Sequence, residues 1–144
     1  MSALPRHSVA VVGVVVGEDG RVLAIRRRDN GQWQPPGGVL ELGETIDDGL
    51  RREILEETRV VVDLLQLTGV YKNLSMGVVA LTFRCKPVAG EPGPTDEASE
   101  VRWLTLDEVT AAMTPAFAVR VTDAFAANGP AVRHHDGVHL VNRT

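Results

Sequence analysis

Residues 37–60 read GGVLELGETIDDGLRREILEETRV. This stretch predicts a glycine loop followed by a helix that runs from Ile46 to about Thr58. Thr45 is a suitable N-cap, and Asp48 three residues later gives a weak capping box. The first turn is acidic, which the helix dipole favours. The rest of the chain is interpreted outward from this loop–helix unit.

The second half of the predicted helix carries an acidic stripe. Glu53, Glu56 and Glu57 fall within an arc of about 80–100°. Like charges one turn apart cost a few tenths of a kcal/mol per pair, and the C-terminal half of a helix disfavours anions. Arg52 relieves only part of this repulsion. The stripe is therefore unfavourable for the helix itself and indicates some other role.

Two interpretations of the stripe are open. One is a solvated acidic face, because charged side chains are mostly exposed. The other is a metal site, because the Gly37-Gly38 loop lies one short connection upstream and Glu44 stands at the helix entrance. Carboxylate and carbonyl oxygens are the ligands that Mg²⁺ and Mn²⁺ prefer, and glycine lets the backbone approach a metal closely. The combination favours the metal site.

The spacing of these residues resembles the Nudix box of the MutT-like hydrolases. Gly38 is followed by Glu44 after five residues, and Arg52-Glu53 follows after seven more, leading into Glu56-Glu57. Every fixed position matches except one, where Arg59 stands in place of a glycine. The flanks 33–38 and 101–108 also resemble the family, so the similarity covers residues 8–127 and leaves 128–144 outside it.

The resemblance implies a single Nudix-like domain over residues 1–144, of mixed α/β or α+β class. The implied fold is an α/β/α sandwich with a mixed β-sheet and a loop–helix–loop catalytic motif. The implied activity is Mg²⁺-dependent hydrolysis of a pyrophosphate bond in a nucleoside diphosphate linked to another group, with Mn²⁺ as a substitute metal. A small nucleotide of the house-cleaning nucleoside triphosphate type is the expected substrate. ADP-ribose or another sugar nucleotide is the alternative, and a non-catalytic nucleotide-binding module is less favoured because no glutamate of the box is missing.

The resemblance also assigns roles to single residues. The expected catalytic residues are Glu53, Glu57, Glu97 and Arg52. The expected metal ligands are Glu53, Glu56, Glu57, Glu97 and the Gly37 carbonyl. Glu44 and Gly38 are expected to support the loop. The identity of the general base stays open between Glu53 and a glutamate outside the box, for which Glu97 is the candidate and Glu100 the alternate.

Three arginines end the second predicted strand beside the glycine loop. Alternation along a strand sends Arg27 to one face and Arg26 and Arg28 to the other. Arginine grips phosphate oxygens well, so Arg27, and after it Arg26, are expected to bind substrate. Trp33 is a further expected substrate contact through base stacking, whereas Trp103 and Cys85 are expected in the core. A charged strand end remains the plain alternative for the arginines.

Arg59 occupies the position at which a glycine usually ends the helix. Such a position usually requires a left-handed backbone, which costs a non-glycine residue roughly 1 kcal/mol or somewhat more. Either the helix exits differently or this cost is tolerated. No metal ligand is lost, so activity is expected to survive.

The remaining elements follow from patterning. Strands are predicted at Val9–Val16 and Val22–Arg28, joined as a hairpin by the Gly17–Gly20 turn, and the Pro35–Gly38 run predicts no regular structure nearby. Further strands are expected at Val60–Leu67, Val78–Lys86 and Val101–Leu104, with helices at Leu106–Met113 and Pro115–Ala127. Val132–His135 and Val138–Val141 predict a hairpin around Asp136-Gly137.

Bulk properties narrow the function classes. The chain has 144 residues, which fits one domain, and a net charge of −4, which does not favour duplex nucleic acid. The apolar run after Arg6 is too short to span a bilayer, so no membrane partner is expected. One cysteine excludes an intrachain disulfide, and a cytoplasmic location is expected. A monomer and a homodimer are both open.

Two regions carry less information. His134, His135 and His139 cluster near the last predicted hairpin, where substrate lining or an oligomer contact is favoured over zinc because no metal-ligand spacing is present. The loop Tyr71–Gly77 is a candidate for substrate specificity.

Overall fold

The computed structural model describes residues 3–126 and 128–142. The elements in chain order are β1 Ser8–Val15, β2 Val22–Arg27, β3 Trp33–Gln34, β4 Gly37–Val39, α1 Ile46–Thr58, β5 Val61–Asn73, β6 Val78–Ala89, β7 Ala98–Leu104, α2 Leu106–Ala112, α3 Pro115–Asp123 and β8 Ala131–His135. Among the described residues, no helix is long and apolar enough to span a membrane.

The strands form two sheets. The larger has the order β4-β1-β6-β5-β8, and the smaller has the order β3-β2-β7. The larger sheet is mixed, because β1 pairs with β6 and β5 pairs with β8 in parallel while its other pairs are antiparallel. The mixed sheet agrees with the expected fold class.

Helices cover both faces of the central strands. Val11 and Val15 of β1 pack with Leu50 and Ile54 of α1 in one core cluster. Val14, one position out of phase, packs instead with residues of α2 and α3. Since neighbouring residues in a strand point to opposite faces, β1 is apolar on both sides, and the α/β/α sandwich follows.

Helix α1 has the predicted bounds. Thr45 is its N-cap, and its hydroxyl accepts a hydrogen bond from the Asp48 backbone N–H at 3.1 Å. Leu50 and Ile54 are fully buried and fix the helix on the sheet. Cys85 lies in the same cluster and Trp103 packs against it, which confirms both as core residues.

The predicted hairpin between the first two strands is wrong. Strands β1 and β2 lie in different sheets, and a single bridge between Val16 and Val22 joins them beside the turn. β1 takes β6 as its parallel neighbour over Ser8–Val15. A short turn is a strong local signal for a hairpin, but both strands are buried on both faces and take their partners from elsewhere in the chain.

The sequence predicts too little strand around the glycine loop and after α1. β3 and β4 flank Pro35-Pro36, although no regular structure was expected there. The two glycines of β4 pair with Val12 and Val11. β5 extends to Asn73 through three register shifts, so Tyr71, expected in a loop, is a buried strand residue.

The predicted C-terminal hairpin is only half formed. β8 pairs in parallel with β5, and its expected partner strand is reduced to one bridge between His135 and Leu140. The Asp136 carboxylate accepts hydrogen bonds from the backbone N–H groups of Val138 and His139, so the turn is wider than two residues. Helix α3 ends at Asp123; the expected end at Ala127 lies outside the described residues.

A buried polar link joins β5, α3 and β8. The Tyr71 hydroxyl donates to the Asp123 carboxylate at 2.8 Å, and Arg133 donates two hydrogen bonds to the same carboxylate at 2.7 and 2.8 Å. Burial raises the pKa of Asp123, but the bonds from Arg133 and Tyr71 outweigh it and hold the pKa below the usual value. The link fixes α3 across the sheet.

We expect Asp123→Asn to destabilise the protein by about 1–3 kcal/mol at pH 7, because it removes the charge from hydrogen bonds in a buried site. Since the folded-state pKa is lowered, the contribution is present above the unfolded-state pKa and is lost as the pH falls through the folded-state pKa. Urea unfolding of both proteins from pH 7 down to pH 3 measures this. A stability difference that stays constant over that range would contradict the assignment.

Candidate metal and phosphate site

Helix α1 brings two of its glutamates against the glycine strand. Gly37 donates its backbone N–H to the Glu57 carboxylate at 3.2 Å. A Cβ atom at Gly38 would overlap the Glu53 carboxylate, and one at Gly37 would overlap the β1 backbone. The β1 backbone therefore requires glycine at Gly37, whereas a side chain at Gly38 would displace the Glu53 carboxylate from its position.

The third carboxylate comes from the loop before β7. Glu97 lies with Glu53 and Glu57 so that one carboxylate oxygen of each falls within 4.8 Å of the others. Thr95 fixes this loop by donating its hydroxyl to the Glu57 carbonyl at 3.2 Å, and the Glu97 backbone carbonyl accepts from the Arg28 backbone N–H at 3.0 Å. Residues 44 positions apart in the sequence thus meet at one point.

Burial and mutual repulsion disfavour the charged forms of Glu53 and Glu57 in this cluster. Burial, followed by repulsion from Glu53 and Glu97, raises the pKa of Glu57 to about 8, against the hydrogen bond from Gly37. Burial also raises the pKa of Glu53, although Arg52 counters it. Glu57 is only 5% exposed, so solvent does little to screen it.

Arg52 braces the start of the helix. It donates two hydrogen bonds to the Glu44 carboxylate, at 2.8 and 3.0 Å, and one to Glu53 at 3.0 Å. Glu44 also accepts from the Glu41 backbone N–H at 2.8 Å. The pKa of Glu44 falls to about 2, chiefly because of the hydrogen bond from Arg52. Glu44 therefore supports the loop while Arg52 orients Glu53.

A cavity of about 520 Å³ opens in front of the carboxylates. Its walls include Arg27, Arg28, Asp96 and the two glycines of β4. Arg27 is held by Asp29, its Nε donating at 2.8 Å. From the sequence alone, Asp96 is one of several acidic residues in a loop and has no distinguishing signal. Arg28 lines the cavity beside Arg27 because β2 has a register shift after Arg26 and ends at Arg27.

Three of the expected residues lie away from this cluster. The Glu56 side chain is 52% exposed and accepts from Arg52 at 3.3 Å; it lines a neighbouring depression with Glu97. Arg26 points to Glu100 and to the Gly31 carbonyl. Trp33 packs against the α2–α3 side of the core. None of these three side chains lines the cavity in front of the carboxylates.

The donor set fits a divalent cation. Three carboxylates converge within 4.8 Å, and hard oxygen ligands are those that Mg²⁺ and Mn²⁺ take. Burial is the main cause of the raised pKa values of Glu53 and Glu57, and repulsion between the carboxylates adds to it. A divalent ion at this point would supply the missing positive charge.

Arg59 adopts the left-handed backbone that its position requires. Its φ is 70° and ψ is 12°, and its N–H donates to the Leu55 carbonyl at 2.9 Å. It is the only non-glycine residue with positive φ among residues 3–126 and 128–142. The helix therefore ends as a glycine would end it, and the local cost expected from the sequence is present.

The NUDIX domain family model matches residues 6–125 of this chain. Among curated proteins, a MutT-like protein of Streptomyces ambofaciens is 56% identical over 137 residues, which cover 95% of this chain and 89% of that protein. An ADP-ribose pyrophosphatase of Methanocaldococcus jannaschii is 30% identical, covering 72% of this chain and 65% of its own length. An oxidized purine nucleoside triphosphate hydrolase of Danio rerio is 35% identical, covering 67% and 65%.

Solved structures share the fold. A NUDIX hydrolase from Nitrosomonas europaea superposes with a TM-score of 0.78 over 92% of this chain and 82% of that chain, at 23% identity. At that identity the likeness supports the fold alone.

We expect Mg²⁺ to raise the melting temperature of the protein, because an ion bound only to the folded state stabilises it by mass action. Glu57→Gln should remove most of this shift, since it takes away the most buried carboxylate of the cluster. Glu91→Gln, which changes an exposed acid outside the cluster, is the matched control and should keep the full shift. Thermal melts with EDTA and with millimolar Mg²⁺ test this. An equal shift in both variants would place the metal elsewhere.

We expect Arg59→Gly to stabilise the protein by about 1 kcal/mol, because glycine has no steric penalty at positive φ. This corresponds to a rise of roughly 2–4 °C in melting temperature. Arg59→Ala keeps the Cβ atom and serves as the control, which should show no gain. A fall in melting temperature for Arg59→Gly alone would mean that the packing of the Arg59 side chain over Gly93 outweighs the backbone cost.

Proposed function

The chain belongs to the Nudix hydrolase family, whose members hydrolyse pyrophosphate bonds and generally use a divalent metal, and from this we propose that it is a Mg²⁺-dependent pyrophosphohydrolase of small nucleotides. The observation that carries the proposal is the convergence of Glu53, Glu57 and Glu97 within 4.8 Å beside the glycine strand. A solvated acidic face would not bury Glu57 to 5% exposure. Mn²⁺ is a chemically suitable substitute.

The metal ligands proposed are Glu53 and Glu57, with Glu56 at the edge and the Gly37 carbonyl as a backbone ligand. Glu97, which lies beside them, is proposed as the base and not as a ligand. A bound Mg²⁺ would neutralise phosphate oxygens and would lower the pKa of a water molecule. Arg52 holds Glu53 in its orientation through the bonds described above. Arg27, which lines the cavity beside the carboxylates, is the proposed donor to non-bridging phosphate oxygens.

The reaction is the addition of water to a phosphorus atom of the anhydride. The bond from that phosphorus to the bridging oxygen breaks, and the second phosphate leaves with the electron pair. One proton of the water passes to a carboxylate. Glu97 is the proposed acceptor, because its carboxylate has no hydrogen bond to the described residues, whereas Glu100 is bound by Arg26 and Arg102 and Glu53 is bound by Arg52.

A nucleoside triphosphate is the proposed substrate. The 520 Å³ cavity is of the size that accommodates a small-molecule ligand. One of the relatives reported above is an oxidized purine nucleoside triphosphate hydrolase. Another is an ADP-ribose pyrophosphatase. A screen of nucleoside triphosphates and sugar nucleotides with Mg²⁺, read as released phosphate and pyrophosphate, distinguishes the two classes.

We expect Glu57→Gln to lower kcat on the best substrate by at least about 100-fold, as loss of a transition-state charge contact does. We expect Glu97→Gln to lower kcat by about 100-fold or more but to keep most of the Mg²⁺-dependent rise in melting temperature. Steady-state kinetics and melts on the same preparations separate a base from a ligand. Glu100→Gln is the control in the same strand region and should retain activity.

Two outcomes would contradict these assignments. If Glu57→Gln turns over substrate at the unaltered rate, the acidic cluster is not the active site. If Glu97→Gln loses both activity and the Mg²⁺ shift, Glu97 is a metal ligand and the base is another group.

A further inference from the structure

A second cavity, of about 250 Å³, lies between the large sheet and helix α3. Its walls include Ala10, Val12, Asn73, Phe117, Arg120 and His135. It shares Arg27, Gln34 and the segment Gly37–Val39 with the cavity in front of the carboxylates. A ligand whose phosphates reach the acidic cluster can therefore extend over the glycine strand into this second space.

Arg120 is a buried cation in the wall of this cavity. It is 6% exposed, and its guanidinium carbon lies 5.2 Å from the centre of the Tyr71 ring and 5.0 Å from that of Phe117. It forms no salt bridge with the described residues, because the nearby Asp123 is taken by Tyr71 and Arg133. Burial lowers the pKa of Arg120 to about 10, so it still carries its charge at neutral pH.

The surroundings of Arg120 lack hydrogen-bond acceptors. Its Nε is buried and has no partner among the described residues. Its Nη2 lies 3.2 Å from His135 Nε2, while the Gly137 backbone N–H donates to His135 Nδ1 at 3.0 Å. A neutral imidazole accepts at one nitrogen only, so it cannot serve both donors. Arg120 is thus short of acceptors at two positions, which is costly for a buried group.

We propose that this cavity binds the base of the substrate and that Arg120 determines specificity by donating to two adjacent acceptors on a 6-oxopurine. The inference rests on the proposed function for the place of the phosphates. O6 and N7 of such a base are neighbouring acceptors that match the fork of an arginine. A 6-aminopurine presents a donor where O6 would be. Uracil and thymine carry an N3–H donor between their two carbonyls, so they have no two adjacent acceptors.

The walls favour a base over a further phosphate group. Ala10, Val12 and Phe117 offer apolar surface, which suits the faces of a planar ring. Arg120 already stacks on aromatic rings, so it is held in one plane and can meet an edge. A phosphate bound here would leave its remaining oxygens against these apolar walls, which is unfavourable.

The first experiment compares bases on the wild-type protein. The ratio of kcat/KM for ITP to that for ATP isolates the oxygen at position 6, and GTP against 7-deaza-GTP isolates N7. We expect a preference of about 10-fold or more in each pair, the scale of a bidentate arginine contact.

Calorimetric binding of IMP and AMP, which needs no turnover, gives the same comparison if the chain does not hydrolyse triphosphates. A binding preference with no hydrolysis would then overturn the proposed function and keep this inference.

The second experiment changes Arg120, the residue proposed to recognise the base. Arg120→Met keeps an unbranched apolar side chain and removes the guanidinium donors, and we expect the ITP-to-ATP ratio to fall to near 1, mainly through KM. Arg84→Met is the matched control, because Arg84 also stacks on an aromatic ring, Phe125 at 5.0 Å, but does not line this cavity. It should keep the wild-type ratio.

Three results would overturn the inference. One is a wild-type protein that treats ITP and ATP alike in both kinetics and binding. Another is a ratio unaltered in a folded Arg120→Met variant, which would make Arg120 a structural residue. The third is an equal loss of affinity for all nucleotides and for inorganic pyrophosphate, which would make Arg120 an anion contact. If Arg120→Met does not fold, the base series on the wild type still decides.

Discussion

The contact between helix α1 and the two glycines of β4 sets the geometry of the whole site. Gly37 donates to Glu57 at 3.2 Å, and Gly38 leaves the space that the Glu53 carboxylate fills. Because β4 pairs with β1 at the same two glycines, the carboxylates are placed relative to the central strands of the large sheet. A side chain at Gly38 would displace the Glu53 carboxylate, and one at Gly37 would force β4 away from β1.

This contact buries carboxylates, which is electrostatically unfavourable. The apolar face of the same helix offsets that cost. A carboxylate whose pKa rises to about 8 costs on the order of 3 kcal/mol at pH 7 relative to its solvated form. Burial of Leu50 and Ile54, both fully covered, contributes about 1.5–3 kcal/mol each. The apolar stripe is therefore large enough to hold the acidic stripe in place, and the remaining charge is compensated when a cation binds.

The sequence predicts best what is encoded within one element. The bounds of α1, its Thr45 cap and the left-handed Arg59 follow from local rules and are confirmed. The partners of β1 and β2 do not, since the turn between them favours a hairpin and the pairing is decided by burial on both faces. The same holds for the strand after Asp136-Gly137, where the Asp136 carboxylate accepts hydrogen bonds from the backbone N–H groups of Val138 and His139 and the turn is wider.

Within the site, the box predicts the carboxylates on α1, but not how distant segments meet them. The position of Glu97 beside Glu53 and Glu57 agrees with the expected constellation, whereas Asp96 in the same loop carries no signal of its own. Arg26 and Trp33 are expected near substrate, but the β2–β7 register pairs Arg26 with Glu100 and Trp33 packs against the core. Arg120 could not be found from the sequence, because its burial depends on α3, β5 and β8 together.

The net charge of −4 conceals a separation of charge within the site. Uncompensated carboxylates lie at one side of the glycine strand and an uncompensated guanidinium lies at the other, across walls that the two cavities share. The phosphates of a nucleotide can approach the carboxylates only if a metal ion lies between them. A base with hydrogen-bond acceptors can bind the guanidinium directly. An anionic nucleotide is therefore complementary to an acidic protein in two separate ways, and each side excludes a different set of wrong ligands.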